Sequence, residues 1–453
     1  MTYKNKYYYF LFFSMENNDK KEKTVYVGIT GDIIHPGIIN IIQQGAKYGR
    51  LIVGLLTNSA IINHKRLPYL SYEQRKNVLE NIKGVSEVIP QEDWSYVPNL
   101  KKLKPNYIIH GDDWKDNYLK EIREETIAYM KSIGSEVIEI PYTKGITSSD
   151  IFKKTTLGIT PTQRIKKLRA LLSSNKIIRA LEAHSGLCGL IIEKMEKDTK
   201  EGPATFDAIW SSSLTDSTSK GKPDIEAVDL MTRLSSLSDI LKCTTKPIIY
   251  DGDTGDIAEH FVFTVRTLER NGISAVIIED KKGLKKNSLL GTSVTQTLCD
   301  EEEFCHKIRE GKKAQVTSDF MIIARIEEII AGKSVQEALK KSYACVKAGA
   351  DGIMIHSKEK TGKDIKEFCL EFKKEYPKIP IILVPTTYNQ FVEKEFGEWG
   401  ARIIIYANHM LRSSYPSMRK CAESILKNGR SLEAEEEFCV PMKDILDAIP
   451  GNN

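Results

Sequence analysis

Lys246-Pro-Ile-Ile-Tyr-Asp-Gly-Asp-Thr-Gly255 is the stretch whose reading decides the fold. Its apolar run is short, hydrophobic on both faces, and bounded by proline and glycine. A fully buried parallel strand reads this way. The run ends in two carboxylates, Asp251 and Asp253. In α/β folds, ligands bind at the carboxyl ends of strands. Two acids at such an end can both reach one cation, directly or through water, and oxygen donors with room for water suit Mg²⁺. Asp and Gly are also common in turns, so this stretch alone supports a plain turn equally well.

The pattern repeats on both sides. From Lys176 onward eight apolar runs of strand type occur: Ile177–His184, Phe206–Ser213, Lys246–Asp253, Ser274–Asp280, Phe320–Glu327, Asp351–Ser357, Ile379–Pro385 and Arg402–Asn408. Amphipathic stretches such as Ile257–Asn271, Ser334–Ala348 and Asp364–Tyr376 lie between them. Eight strands alternating with helices predict a (β/α)₈ barrel. The run ends carry His184, Trp210 with Ser212 and Ser213, Asp251 with Asp253, Glu279, Arg325, His356, and Asn408 with His409. Polar residues belong at any strand end, but this set points to a catalytic rim. Asp251, Asp253 and Glu279 would repel one another without a divalent cation. Arg325 and His356 are expected across the rim from them, where they suit a phosphate. Glu279-Asp-Lys-Lys-Gly-Leu-Lys-Lys-Asn-Ser288 reads either as a lid that excludes water or as a solvated lysine-rich loop.

Glu279-Asp-Lys281, five residues, then Asn287-Ser288 resembles the signature of phosphoenolpyruvate mutases, within the isocitrate lyase superfamily. Glu182-Ala-His184, Ile209-Trp-Ser-Ser-Ser-Leu214, Gly221-Lys-Pro-Asp224, Asp251-Gly-Asp-Thr-Gly255, Ala324-Arg-Ile-Glu327 and Gly352-Ile-Met-Ile-His356 extend the resemblance from Lys176 to about Arg430. The carbon–carbon lyases of the superfamily carry a lid cysteine, and Gly283 to Lys286 has none. The resemblance implies rearrangement of phosphoenolpyruvate to phosphonopyruvate. It implies Asp251 as the Mg²⁺ anchor, with Asp253 and Glu279 acting through waters. Trp210, Ser212, Ser213 and Leu214 would shape the pocket and meet the substrate carboxylate. Arg325 and His356 would hold the phosphoryl group, Asn287 and Ser288 would close from the lid, and Asp224 would lie beside the transferring group. A homo-oligomer, dimer or tetramer, with the last helix on a neighbour's barrel is also implied. Phosphonopyruvate hydrolase and oxaloacetate decarboxylase are the alternatives within the superfamily.

Before the barrel, five short strands alternate with helices over residues 24–150 and predict a Rossmann-like parallel sheet. His35-Pro-Gly-Ile38, after a glycine strand exit, resembles the H-x-G-H signature of nucleotidylyltransferases, and the cytidylyltransferase branch in particular. Gly145-Ile-Thr-Ser-Ser149 resembles that branch's second phosphate motif, at the start of a helix. The resemblance implies a CTP site built from His35, Gly37, His110, Asp112, Thr147, Ser148 and Ser149. The second histidine of the signature is Ile38 here, which can neither donate to a triphosphate nor stabilise charge. Two readings follow: a domain attaching CMP to a phosphonate such as 2-aminoethylphosphonate, or a degenerate domain that serves only as a binding module.

Composition narrows the class. The chain has 453 residues, 41% hydrophobic and 28% charged, which fits a soluble protein of two or three domains. A net charge of +5 without a dense basic block argues against nucleic acid as a partner. Eight cysteines without a C-x-x-C pair suggest free thiols in a reducing cytoplasm. The aromatic run Tyr7–Phe13 is too short to span a membrane. Residues 1–23 are expected to be a disordered leader, with Met15 as an alternative start, and residues 151–175 a basic linker with one exposed helix. The barrel and its C-terminal helices are then 176–453.

Overall fold

The computed structural model describes residues 22–449, apart from 65–67, 69, 116–118, 142–158, 175, 200–201 and 284. The expected leader therefore lies almost wholly outside the described residues. The chain divides into two compact units, with the break close to residue 148.

The N-terminal unit is a five-stranded sheet of β1 (Thr24–Ile29), β2 (Arg50–Leu56), β3 (Glu87–Gln91), β4 (Tyr107–Gly111) and β5 (Glu136–Ile140). The strands run parallel in the order β3-β2-β1-β4-β5. Sheet order reverses at β1, and the helix Pro36–Gly45 follows that strand. Pro36 opens the helix, where its missing N–H costs nothing. His35 is its N-cap, accepting at Nδ1 from the Gly37 N–H at 3.2 Å.

The second unit contains the expected barrel. Its strands are β6 (Ile178–Glu182), β9 (Ala208–Ser211), β10 (Ile248–Asp251), β11 (Ala275–Glu279), β12 (Met321–Ile326), β13 (Gly352–Ile355), β14 (Ile381–Leu383) and β15 (Ala401–Tyr406). All pair in parallel and β15 closes on β6. Each expected run coincides with one strand, β15 beginning one residue before its run. An antiparallel hairpin, β7 (Glu196–Thr199) with β8 (Gly202–Thr205), was not anticipated; its strands are polar and too short to show an apolar pattern.

The expected exposed linker helix is corrected. Pro161–Ser173, capped by Thr160 and Gln163, buries Arg164, Ile165, Leu168 and Leu171. Leu168 and Leu171 pack with Ala180, Ile249, Ile277, Met321 and Ile403 from the strands. Arg164 donates to the carbonyls of Thr244 and Lys246 at 2.7 and 3.0 Å, and accepts at its own carbonyl from Ser274 Oγ at 2.9 Å. These partners precede β10 and β11, so the helix closes the barrel's N-terminal end. Its basic residues misled the sequence reading because they serve strand-end carbonyls and carboxylates, as Arg169 does on Asp351 at 2.8 Å.

Truncating Leu168, which is fully buried, to alanine should destabilise the barrel by about 3 kcal/mol, read as a lower unfolding midpoint in urea. A shift within about 0.5 kcal/mol is what an exposed linker helix would give.

Candidate active site

The opening stretch is both a turn and a strand end. Asp251 closes β10, and the Gly255 N–H then bonds the Gly252 carbonyl at 2.9 Å. A Cβ on Gly252 would stand 2.7 Å from Val276 Cγ2, so glycine lets the turn lie against β11. Asp253 follows with φ +52°, a left-handed conformation that Asp tolerates better than most residues. The turn keeps both carboxylates buried at the rim.

Asp251 Oδ2 accepts from the Ser213 backbone N–H at 3.1 Å and its hydroxyl at 2.8 Å. Ser213 opens the helix Ser213–Ser219, capped by Ser212. Burial alone would raise the Asp251 carboxyl, but Lys285, Arg325 and Arg233 together with Ser213 hold it down at about 2. Arg233 lies over the Tyr250 ring at 4.0 Å and donates to the Asp251 carbonyl at 2.6 Å and Asp253 Oδ2 at 3.3 Å. Glu279, at the end of β11, is fully buried, and neither of its oxygens has a hydrogen-bond partner. Burial pushes its carboxyl up to about 7 against the pull of Arg325 and the nearby lysines.

Arg325 is not across the rim from the acids, as expected. It stands beside Glu279 in the β11–β12 register, with Nη2 at 3.1 Å from Glu279 Oε2. Its Nε donates to Glu327 Oε1 at 2.5 Å. His356 Nδ1 lies 3.0 Å from the same oxygen, while its Nε2 is buried without a partner. Burial and the neighbouring Arg325 lower the His356 imidazole below its ordinary value.

Lys285 to Ser288 lie over this rim, while Lys282 and Gly283 of the same segment are exposed. Lys285 is buried, with Nζ 2.7 Å from Ser213 Oγ, 2.9 Å from Asp224 Oδ1, and also on Asp253. Burial would lower its ammonium, but Asp253, Asp251, Glu279 and Asp224 raise it above the usual range. Asn287 Nδ2 donates to Asp224 Oδ2 at 2.7 Å, and Ser288 Oγ to Glu327 Oε2 at 2.6 Å.

One cavity results. Trp210, Ser212, Ser213, Leu214, Asp224, Asp251, Asn287, Ser288, Arg325 and His356 all line it, so the structure brings together most of the residues singled out from the sequence. Asp253 and Glu279 stand just behind its wall, reached through Lys285 and Arg325. Lys358, Thr386, Thr387 and Asn408 line the cavity as well. Sequence reasoning missed Lys285, taken as one lysine among several, and Arg233, which lies within a helix with no motif to mark it. It quoted Glu327 but gave it no role.

The donor set fits one hard cation held indirectly. Among the described residues, no three His, Cys, Asp or Glu side chains converge closely enough to ligate an ion together. Asp251 is the carboxylate facing the cavity, and Glu279 Oε1, which has neither a hydrogen bond nor an ion pair among the described residues, leaves an acceptor for bound water.

In the N-terminal unit, Ile38 is buried in the core beside Val25, Ile42 and Leu51. His35 is engaged in its helix cap, and burial lowers its imidazole. His110 stacks on Trp114 at 4.0 Å, and Asp112 opens the short turn Asp112–Trp114. Gly37 lies in the first helical turn. Thr147, Ser148 and Ser149 lie outside the described residues.

Comparison with known proteins agrees with both units. Residues 168–426 match the phosphoenolpyruvate phosphomutase family model and residues 26–154 the cytidylyltransferase-like model. A phosphoenolpyruvate phosphomutase of Tetrahymena pyriformis is 34% identical over 275 residues, 60% of this chain and 87% of that protein. A phosphonopyruvate hydrolase solved with oxalate and Mg²⁺ superposes with a TM-score of 0.56 at 33% identity, covering 63% of this chain and 94% of that one. A glycerol-3-phosphate cytidylyltransferase of Bacillus spizizenii is 34% identical over 128 residues, 27% of this chain and 90% of that protein. By the match of more than half its length, the chain belongs to the phosphoenolpyruvate phosphomutase family, and it carries a cytidylyltransferase-like domain ahead of the barrel.

Proposed function

We propose that the barrel interconverts phosphoenolpyruvate and phosphonopyruvate with Mg²⁺ as its metal. The observation that carries this reading is the closed lid, with Asn287 on Asp224 and Ser288 on Glu327 above the cationic donors Arg325 and His356. In the forward direction the enol-phosphate O–P bond breaks and carbon 3 of the enolate takes the phosphoryl group as a P–C bond. The transition state is loose, so positioning and charge stabilisation matter more than covalent help. Arg325 and the free Nε2 of His356 would hold the phosphoryl oxygens. The backbone at Ser212–Leu214 would hold the carboxylate, and Asn287 with Asp224 would flank the transferring group. Mg²⁺ at Asp251, reached by Asp253 and Glu279 through water, would supply charge stabilisation for the enolate. Lid closure keeps water from the phosphoryl group, which separates a mutase from a hydrolase built on the same rim.

Two further readings go with this one. The helix His409–Asn428 buries none of its residues and exposes Tyr415, Met418 and Leu426. Such a face supports an oligomer in which it packs on a neighbouring barrel. For the N-terminal unit, Ile38 in the core and His35 in a cap support a CTP site degenerate for catalysis. Cytoplasmic residence rests on the scattered free cysteines alone.

Incubation with Mg²⁺ and phosphonopyruvate, followed by ³¹P NMR, should give phosphoenolpyruvate; inorganic phosphate as the product would establish the hydrolase instead. Asp251→Asn keeps the shape of the carboxylate. It should lower turnover by about 10²–10³-fold or more and abolish the heat of Mg²⁺ binding, with the thermal midpoint of the barrel kept. Unchanged metal binding would remove Asp251 as the anchor.

Pyrophosphate release from CTP with 2-aminoethylphosphonate should be absent or weak for the native chain. Robust release would refute the degenerate reading of the N-terminal unit.

A further inference from the structure

Glu327 follows β12 directly, is fully buried and does not line the cavity. Yet it touches every part of the cationic side. Oε1 receives Arg325 Nε at 2.5 Å and lies 3.0 Å from His356 Nδ1. Oε2 receives the Ser288 hydroxyl at 2.6 Å and lies 3.3 Å from Lys281 Nζ. Its own N–H bonds Asp280 Oδ1 at 3.0 Å. Burial would raise the carboxyl, but Arg325, His356 and Lys281 hold it well below the usual range.

The Ser288 hydroxyl fixes the direction of this network. It accepts from Arg325 Nη2 at 2.6 Å and from Lys281 Nζ at 2.7 Å. A hydroxyl has two acceptor lone pairs and one proton. Both lone pairs are taken, so the proton has one acceptor, Glu327. Arg325 and Lys281 have no acceptor capacity of their own. The lid's hydroxyl therefore seats between these two cations with Glu327 as the acceptor for its proton.

We propose that Glu327 is the latch of the lid: a positioning residue that captures Ser288 on closure and, through its other oxygen, aims Arg325 and His356 at the same moment. Closure and assembly of the phosphoryl clamp become one event. The inference rests on the reading of the barrel as a phosphoryl-transfer site, but its test does not. Glu327→Gln keeps the size of the side chain and leaves a single acceptor oxygen. With that oxygen toward Arg325 and His356, the NH₂ group meets the Lys281 ammonium and the proton of Ser288; turned the other way, it meets the Arg325 Nε–H, so either orientation sets donor against donor across the latch.

The test uses the full chain. Deuterium exchange is followed on peptides covering Lys285–Ser288, with and without Mg²⁺ and oxalate, and turnover of phosphonopyruvate is measured alongside. In the native chain Mg²⁺ with oxalate should slow exchange of this segment. In Glu327→Gln the slowing should disappear while peptides of β10 and β13 stay protected. Turnover should fall by about 10²-fold with KM changed by no more than about threefold. Ser288→Ala removes the latch from the lid side and should lose the same protection, which decides the matter if Glu327→Gln does not fold. Retained protection in either folded variant, or none in the native chain, overturns the latch. Absence of turnover in the native chain would count against the mutase reading alone, because the exchange comparison does not depend on turnover.

Discussion

At the rim of the barrel one guanidinium stands between two fully buried carboxylates. Arg325 reaches Glu279 on one side and Glu327 on the other. An unpaired charge at that depth would cost several kcal/mol, so none of the three could be there alone. The parallel register supplies the pairing: Glu279 and Arg325 are facing residues of β11 and β12. Strand order thus brings three residues that would each be costly alone into one paired group.

The lid completes the compensation. Lys285 brings a positive charge to Asp224 and Asp253, and Ser288 brings a hydroxyl to Glu327. Asp224, Asp253 and Glu327 thereby have partners drawn from the closing segment. The same electrostatics that shields the buried acids therefore favours the closed lid, the arrangement that the proposed mutase chemistry requires to exclude water.

The barrel was legible because parallel strands buried on both faces read as apolar runs, and each of the eight expected runs coincides with a strand. Asp251, Arg325 and His356 were legible because chemistry gathers where such runs end. The rest depends on side chains that local pattern does not mark. Arg233 reaches the site from the middle of a helix, and Lys285 looks like any loop lysine until the fold buries it. Glu279 beside Arg325 could not be read without the register. The basic helix Pro161–Ser173 looked solvated because its cationic heads hide an apolar stripe that fills the barrel floor. Ile38 was visible as a departure from a motif, and its burial in the core explains the apolar residue.

In the proposed reaction, a lid anchored on buried charge keeps water from the phosphoryl group. Turnover of phosphonopyruvate in water enriched in ¹⁸O tests it most directly. The account predicts phosphoenolpyruvate as the product and no ¹⁸O in any phosphorus species. Inorganic phosphate carrying one ¹⁸O per turnover would contradict it.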